Sequence, residues 1–493
     1  MKDNLLKEIV VDSLDSGNPI LFFLTEDDER VYRIIDDYFS QKNKEVLRYD
    51  PSTKFSCDEE EQYGHSFVET VSHWLKIHYL NGKQLVLRDF HKELEDINTI
   101  SSLKQILRYC PNTQISIIGN VLMVPRELEH FITVIRVPLP DEKEIKEILG
   151  DELSSIPKLV ELSKGLEAID IRLISNQVVS SEQKTEKRTK LFEKKKAETV
   201  NKTGFLSIDL DERTEEELGG YHELKSWLDI AKSSIGDDTL FPKGMLLLGI
   251  TGCGKSLCAK VTAKKLKLPL LKMEFGKIVN KYVGESEGNL YRAIGIAEAM
   301  SPCVLWLDEF EKAIGGNGES EVNQRMLGIF LTWMQEKKKE IFIVATVNNV
   351  SKLPAELLRR GRFDKIYYVD LPEPAERIEI IKIHAKKLGI EGLTDEEINN
   401  FSNRLQNFSG ADIEGILIDA KREQKHQKTK AEIASIIDSC IKKTWPISVT
   451  LSAEIEAMRK EFTYRRFENV NKKVSKEDID NNVGNKRKKQ KNQ

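Results

Sequence analysis

The stretch GITGCGKSL, residues 249–257, constrains the fold of this chain more than any other feature. It follows the apolar run MLLL and precedes residues with helical spacing, so a glycine-rich loop joins a strand to a helix. Glycines let successive loop amides point inward, and the helix adds its positive end, which suits a phosphate group better than an ordinary tight turn does. The lysine would reach the terminal phosphates, and the serine hydroxyl would bind Mg²⁺. The predicted phosphate-binding residues are Gly249, Ile250, Thr251, Gly252, Cys253, Gly254, Lys255, Ser256 and Leu257.

Two adjacent acids, Asp308 and Glu309, follow the apolar strand of PCVLWLDEFEK (302–312). Ligands of open parallel sheets bind at the carboxyl ends of the strands, where these acids are expected. Asp308 would support a hydrated Mg²⁺ ion, and Glu309 would polarise the attacking water. The structural alternative is an acidic helix cap after a strand.

Further polar residues follow in IFIVATVNN and RRGRFD. The first stretch reads as a strand that ends near Asn348, whose amide could bond the γ-phosphate or the attacking water. The second contains Arg359 and Arg362, whose rigid guanidinium forks suit phosphate oxygens. Facing their own loop, these arginines would sense the bound phosphate; facing outward, they would complete the site of a neighbouring subunit.

Composition excludes several classes of protein. The chain has 493 residues with 40% hydrophobic and 32% charged side chains, a net charge of −4 and a pI near 6.2. No global positive field favours nucleic acid or an anionic membrane, and no run approaches the roughly 20 apolar residues of a membrane span. The N-terminal residues lack the pattern of a signal or transit peptide, which predicts that the protein works where it is made. Six cysteines without CxxC pairs predict free thiols rather than a zinc site.

Short apolar strands alternate with helical patterns along most of the chain, which predicts an α/β fold with a largely parallel sheet. We expect an α/β domain over 1–177, a charged linker or solvated helix over 178–204, and a nucleotide-binding α/β core over 205–372. A helical lid with C-terminal helices would occupy 373–470, and a basic, disordered tail 471–493. The predicted strands lie at 19–24, 85–87, 115–118 and 133–137 in the first domain, and near 245–248, 269–274, 303–307, 341–346 and 366–369 in the second.

The first domain reads as a degenerate copy of the second. FITVIRVPLPDEKEIKEIL (131–149) resembles KIYYVDLPEPAERIEIIKI (365–383), LVLRDF (85–90) resembles VLWLDEF (304–310), and LSKGLEAIDIRLI (162–174) resembles FSGADIEGILI (408–418). After the strand PILFFLT comes EDDERV, which has acids where a phosphate loop would need glycines and a lysine. This copy is therefore not expected to bind ATP. The alternative is a coincidence of α/β patterns.

Residues 210–425 resemble an AAA-family ATPase in six ordered segments, FPKGMLLLGITGCGKSL, NKYVGESEGNL, PCVLWLDEFEK, ATVNN, LPAELLRRGRFD and FSGADIEGI. The resemblance implies a P-loop NTPase fold with Walker A at 249–256 and Walker B at Asp308 and Glu309. It also implies sensor 1 at Asn348 and arginine fingers at Arg359 and Arg362. Gly220 and Ala411 match segments near the nucleotide, and Tyr282, Val283 and Gly284 match a pore loop that grips polypeptide. The family further implies ATP and Mg²⁺ as cofactors and a homo-oligomeric ring, usually a hexamer.

Two departures from the family pattern bear on function. Thr251-Gly252-Cys253 replaces the usual proline–glycine–threonine run, and QEKKKEIFIV stands where an acidic signalling segment is expected before sensor 1. The first change leaves nucleotide binding intact, whereas the second puts coupling between neighbouring subunits in doubt.

The leading interpretation is thus an ATPase that remodels a protein or protein complex. A nucleotide-controlled regulatory module that threads no substrate is the alternative, and only the basic tail favours remodelling of nucleic acid. Over nearly its whole length the chain also resembles AAA proteins encoded by algal plastid genomes and cyanobacteria. This implies a plastid stroma location, or the cytoplasm of a cyanobacterium.

Overall fold

A computed structural model describes residues 5–56, 66–179, 185–210, 215–237, 239–278, 285–311, 321–349, 353–359, 361–427, 433–465 and 467–471. The chain divides into two compact units, residues 1–196 and 197–493, called here the N-terminal and C-terminal units. No helix within the described ranges is long and apolar enough to cross a membrane.

The N-terminal unit is built on a sheet in the order β3-β2-β4-β5-β1-β6. Its strands are β1 (Ile20–Leu24), β2 (Val46–Asp50), β3 (Lys54–Ser56), β4 (Gln84–Arg88), β5 (Gln114–Gly119) and β6 (Ile132–Arg136). All neighbours pair in parallel except β2 and β3. The inner strands β1, β4 and β5 are almost continuously buried, as expected where helices cover both faces of a parallel sheet.

Helices of this unit are α1 (Leu5–Asp15), α2 (Asp28–Gln41), α3 (Phe67–Lys76), α4 (Ile97–Tyr109), α5 (Glu142–Ser154), α6 (Pro157–Ser163) and α7 (Ala168–Val179). The next helix, α8 (Thr185–Asn201), begins in this unit and ends in the C-terminal unit. Capping boxes at Ser66 and Asp141 begin α3 and α5 by satisfying amides that the first turn leaves free. A 3-10 turn at Glu93–Glu95 precedes α4.

The C-terminal unit has a sheet in the order β13-β12-β8-β11-β10-β9-β7. Its strands are β7 (Leu206–Asp209), β8 (Gly244–Gly249), β9 (Leu270–Met273), β10 (Cys303–Leu307), β11 (Ile341–Val347), β12 (Lys365–Val369) and β13 (Glu468–Asn469). Only β7 pairs antiparallel to its neighbour. Strands β8, β10 and β11 are buried at every position, which explains why their sequences are almost entirely apolar, with Thr346 of β11 as a polar exception.

Helices of the C-terminal unit are α9 (His222–Ser233), α10 (Lys255–Leu266), α11 (Phe275–Ile278), α12 (Glu285–Ala299), α13 (Glu321–Glu336), α14 (Pro374–Leu388), α15 (Asp395–Arg404), α16 (Gly410–Gln427), α17 (Ile433–Lys443), α18 (Ile447–Thr450) and α19 (Ser452–Arg465). The 3-10 turns are Glu215–Glu217 and Ala355–Leu358. Helices α14 to α17 share a separate apolar core, which includes Ile381, Phe401, Ile413 and Ile437. This is the predicted helical lid.

The predicted P-loop α/β fold, with a helical lid and a preceding α/β domain, is confirmed. The parallel strands of both units follow one order. Numbered along the chain as β1, β2, β4, β5, β6 and as β8, β9, β10, β11, β12, each set is arranged second, third, fourth, first, fifth. Asp89 and Glu309, which align in the two copies, also share a positive φ of 47° and 48°. Each is followed by a buried phenylalanine, Phe90 or Phe310.

Two features of the fold depart from the sequence pattern: the short strands at or near the sheet edges and the buried face of the charged segment 178–204. Four short strands of mixed polarity could not be predicted from an apolar run, namely β2, β3, β7 and β13. All of them except β2 lie at a sheet edge. Segment 178–204 is largely the helix α8. One face of α8 is not solvated, because Phe192 and Val200 are buried beneath the charged side chains.

Candidate nucleotide-binding site

The glycine-rich loop leaves β8 at Gly249 and enters α10 at Lys255, as the sequence predicts. Its glycines adopt φ angles of 146°, 81° and 93° at Gly249, Gly252 and Gly254, where side chains are disfavoured. A Cβ on Gly249 would lie 2.0 Å from the Val369 carbonyl oxygen. The first glycine is therefore required by the close approach of β12 as well as by the turn. The loop leads directly into the amino end of α10, where the helix dipole places partial positive charge.

Lys255 is almost fully buried, with 6% of its side chain exposed. Its Nζ donates hydrogen bonds to the carbonyl oxygens of Gly249 and Ile250, both at 2.8 Å. Burial lowers the pKa of this lysine to about 8. The ammonium is thus held inside its own loop. A bound anion would favour its charged form, which burial disfavours.

Cys253 in the same loop has the opposite character. Burial raises the pKa of its thiol to about 12, which outweighs the lowering effects of Lys255 and of a hydrogen bond from the Gly410 backbone. The side chain therefore remains a neutral thiol and fills space. The described cysteines are all free.

The two acids lie beside the loop at the carboxyl end of β10. Asp308 Oδ1 accepts hydrogen bonds from the Ser256 hydroxyl at 3.3 Å and from the Thr346 hydroxyl at 2.8 Å. Glu309 Oε1 accepts a hydrogen bond from Asn348 Nδ2 at 3.5 Å. Residues that are distant in sequence thus converge on one edge of the sheet, as predicted.

The donor set at Ser256 and Asp308 suits Mg²⁺. It offers one hydroxyl and one carboxylate, which are hard oxygen ligands, and their atoms lie 3.3 Å apart. Mg²⁺ commonly takes one or two such protein ligands and completes its shell with water and substrate phosphates. Among the described residues, no group of three or more His, Cys, Asp or Glu side chains forms a separate metal site.

Three side chains complete this edge although the sequence analysis did not select them. Thr346 positions both acids, because its hydroxyl also accepts a hydrogen bond from the Glu309 amide at 3.1 Å. Lys272 Nζ lies 3.2 Å from Asp308 Oδ2. Glu311 Oε1 accepts a hydrogen bond from the Asn348 amide at 3.0 Å, and burial raises the pKa of this carboxyl group. Thr346 could have been found by strand periodicity, since it lies two residues before Asn348.

A cavity of about 340 Å³ lies between the loop and the lid. Its lining includes the predicted residues Thr251 to Leu257, Asp308, Glu309, Asn348 and Ala411. Leu218 and Gly219 also line it, together with Ile380 and His384 of α14. This lining of apolar side chains together with the glycine-rich loop and polar groups fits a molecule with a flat ring system and several phosphates.

Gly220 lies just outside this cavity, where its amide donates to Glu379 Oε2 at 2.7 Å. Ala411 donates its amide to the Gly252 carbonyl oxygen at 2.9 Å, so the lid contacts the loop directly. The next residue after Gly220, Tyr221, donates its hydroxyl to the Cys253 carbonyl oxygen at 2.8 Å. The segments before and after the core sheet therefore both support the loop.

The two predicted arginines do not line the cavity. Arg359 is exposed after the 3-10 turn, and Arg362 is half-buried. Arg362 Nη1 has no hydrogen-bond partner among the residues that the structure describes. The predicted pore-loop residues Tyr282, Val283 and Gly284 lie outside the described residues.

At two of the corresponding positions the N-terminal unit carries charges of the opposite sign, whereas Asp89 keeps the sign of Glu309. Arg88 aligns with Asp308, and its Nε donates to Asp28 Oδ2 at 2.7 Å. Asp28 begins α2, where the C-terminal unit has Lys255 at the start of α10. The ion pair of Arg88 and Asp28 thus lies at the sheet edge where the C-terminal unit has Asp308 and Lys255.

Comparisons with known proteins give two family matches. Residues 245–371 match the ATPase family associated with various cellular activities (AAA), and residues 6–137 match the SpoVK-like AAA ATPase, N-terminal domain. The chain is similar to the uncharacterized AAA domain-containing protein ycf46 of Guillardia theta, with 33% identity over 470 residues that cover 90% of this chain and 92% of that protein. The ycf46 protein of Pyropia yezoensis is 31% identical over 470 residues, 90% of this chain and 95% of that protein. A ribosome biogenesis ATPase of Saccharomyces cerevisiae, RIX7, is 30% identical over 222 residues, 43% of this chain and 26% of that protein.

Proposed function

The chain belongs to the AAA family of ATPases, and on that premise we propose that it is a Mg²⁺-dependent enzyme that hydrolyses ATP to ADP and phosphate to remodel a protein or protein complex. The observation that carries the proposal is the convergence of Ser256, Asp308, Glu309 and Asn348 beside the glycine-rich loop. A structural turn or an acidic helix cap would not require these four side chains to meet.

Each side chain has a definite task in the proposed reaction. The loop amides and Lys255 bind the phosphates, and Ser256 and Asp308 hold Mg²⁺, which neutralises charge on the phosphate oxygens when bound. Glu309 accepts a proton from the attacking water, and the Asn348 amide orients that water. The water oxygen then bonds to the γ-phosphorus as the bond to the β–γ bridging oxygen breaks, leaving ADP and phosphate.

The arginines are proposed to act in a neighbouring copy of the chain. Arg359 is exposed and Arg362 has an unpaired buried nitrogen among the described residues, which supports a role outside their own cavity. In a homo-oligomeric ring, usually a hexamer in this family, they would stabilise charge that develops on the transferred phosphate. Removal of such an arginine lowers the rate by about 10³–10⁵-fold.

The decisive experiment compares ATP binding with ATP hydrolysis in the wild-type protein and in Glu309→Gln. This variant should bind ATP with Mg²⁺ as tightly as the wild type but lose at least about 100-fold in turnover, because it cannot accept the proton of water. Glu454→Gln, at an exposed position on α19, is the matched control. Equal hydrolysis by wild type and Glu309→Gln would refute the proposed mechanism.

A regulatory module that does not thread substrate is the second candidate, and the turn between α13 and β11 favours it. Lys337 Nζ donates to the Ile341 carbonyl oxygen at 2.7 Å, and Glu340 Oε1 accepts the Gly236 amide at 2.6 Å. These bonds tie the turn to its own unit, where the family pattern has an acidic signalling segment. Stimulation of the ATPase by an unfolded polypeptide, lost in Tyr282→Ala, would support remodelling; an unstimulated ATPase would support the regulatory module.

The similarity to plastid-encoded ycf46 proteins of algae supports a location in the plastid stroma. The corresponding location in a cyanobacterium would be the cytoplasm. Localisation of a tagged protein by microscopy tests this part of the proposal.

A further inference from the structure

Lys272 is the polar member of the otherwise apolar strand β9, LLKM. It stands opposite Trp306 in the parallel register of β9 and β10. Its Nζ lies 4.5 Å from the centre of the Trp306 ring and 3.2 Å from Asp308 Oδ2. The cation–π contact with this ring favours the position of the ammonium at the carboxyl end of β10.

With this contact, both oxygens of the Asp308 carboxylate have partners within the protein. Oδ1 accepts the hydroxyls of Ser256 and Thr346, and Oδ2 is paired with Lys272. The ion pair is partly shielded, with 26% of the lysine and 22% of the aspartate side chain exposed. A carboxylate proposed to face Mg²⁺ therefore already has a positive partner built into the fold.

We infer that Lys272 is a positioning residue that serves as a resident counterion for Asp308 and lets the site bind the triphosphate before Mg²⁺ is bound. The inference rests on the proposed function. Without Lys272, the Asp308 charge would repel the phosphates of a metal-free nucleotide across a partly desolvated space. Once Mg²⁺ is bound, the metal neutralises the same carboxylate, so the contribution of Lys272 to nucleotide affinity becomes small.

A purely structural role makes a different prediction. If the ion pair only joins β9 to β10, its loss should affect nucleotide affinity equally with and without the metal. The two roles are therefore separated by the ratio of the dissociation constant in EDTA to that in saturating Mg²⁺.

The experiment measures the affinity of a fluorescent ATP analogue for the full chain by titration in both conditions. Lys272→Met should weaken binding roughly three- to tenfold in EDTA and less than about twofold in Mg²⁺, the size expected of a partly exposed charge interaction. In Lys272→Met, the Mg²⁺ concentration at which half of the sites hold the metal should be lower than in the wild type, because Mg²⁺ no longer competes with the lysine for Asp308. Lys272→Arg keeps the charge and should restore binding in EDTA, and Lys272→Gln gives a second neutral variant if the methionine variant folds poorly.

Lys260→Met is the matched control. Lys260 pairs with Asp209 at 2.9 Å, with 20% and 19% of the side chains exposed, so this ion pair has an exposure similar to that of Lys272 with Asp308. Lys260→Met should leave the ratio of the two dissociation constants unchanged. If the neutral Lys272 variants leave that ratio unchanged, or if the wild type binds only with Mg²⁺, the inference is wrong while the proposed function stands. Failure of the wild type to bind ATP even with Mg²⁺ would refute the proposed function itself.

Discussion

Thr346→Val tests whether the two acids depend on a hydroxyl from the neighbouring strand. Thr346 is 2% exposed, donates to Asp308 Oδ1 at 2.8 Å and accepts from the Glu309 amide at 3.1 Å. Valine has the same shape, so the change removes both hydrogen bonds without opening a cavity. A hydrogen bond to a charged group contributes about 1.5–3 kcal/mol, and an unpaired buried amide costs about 1–3 kcal/mol.

This loss should appear mainly in catalysis, because the hydroxyl contacts the acids and not the phosphate loop. A loss of about 1.4–2.8 kcal/mol in transition-state stabilisation lowers kcat about 10- to 100-fold. Phosphate release measured at saturating ATP gives kcat, and titration with a fluorescent ATP analogue gives the affinity. Affinity should stay within about threefold of the wild type.

Thr346→Ser is the control, since serine keeps the hydroxyl and removes only a methyl group. Its kcat should remain within about threefold of the wild type. Wild-type turnover by Thr346→Val would refute the role assigned to this hydroxyl. An equal fall in nucleotide affinity and turnover would instead show that Thr346 supports the loop and not the acids.

Other regions of the molecule give further predictions. Gly249→Ala should destabilise the fold by several kcal/mol in thermal unfolding, because its Cβ would lie 2.0 Å from the Val369 carbonyl oxygen. The control is Gly415→Ala, whose Cβ would meet nothing within 4 Å and should stabilise α16 by up to about 1 kcal/mol. The pKa of Lys255 is about 8 in the folded protein and 10.5 when unfolded, so this residue binds more protons in the unfolded chain between these pH values. Lys255 alone should therefore contribute a rise of about 3 kcal/mol to the unfolding free energy of the nucleotide-free protein over that interval. Denaturant titrations at pH 7.5 and 10.5 should show a smaller rise in Lys255→Met than in the wild type, and equal rises would contradict the prediction. Val470 is 1% exposed, and its carbonyl oxygen accepts the amides of residues 223 and 224. Val470 lines a small cavity together with Gly219 and Cys253, which also line the 340 Å³ cavity. Val470→Asp should therefore lower both the melting temperature and, about tenfold, the affinity for ATP, and unchanged binding would show that the C-terminal strand does not support the site.

In the N-terminal unit, the repeated sequence pattern comes with the same strand order but not with the same functional side chains. Its parallel strands have the same order as those of the C-terminal unit, and its apolar runs and connections resemble that unit's in sequence. Its chemistry does not follow from them, because Arg88 and Asp28 form an ion pair where the other copy has an acid and a lysine. The acidic EDDERV segment indicates the loss of the phosphate loop, but the ion pair that replaces it depends on contacts across 60 residues.

Local sequence patterns were enough to predict the α/β class, the glycine-rich loop, the acid pair at the end of β10, Asn348 and the helical lid. These features are encoded locally, through continuous apolar runs for buried strands and through glycines where the backbone requires positive φ. Three contacts became visible only in the folded chain: Thr346 bridges both acids, Lys272 pairs with Asp308, and Gly249 leaves room for the Val369 carbonyl group. The same holds for the edge strands β7 and β13. Such contacts join residues from separate strands, so they depend on strand order and register, which no local pattern specifies.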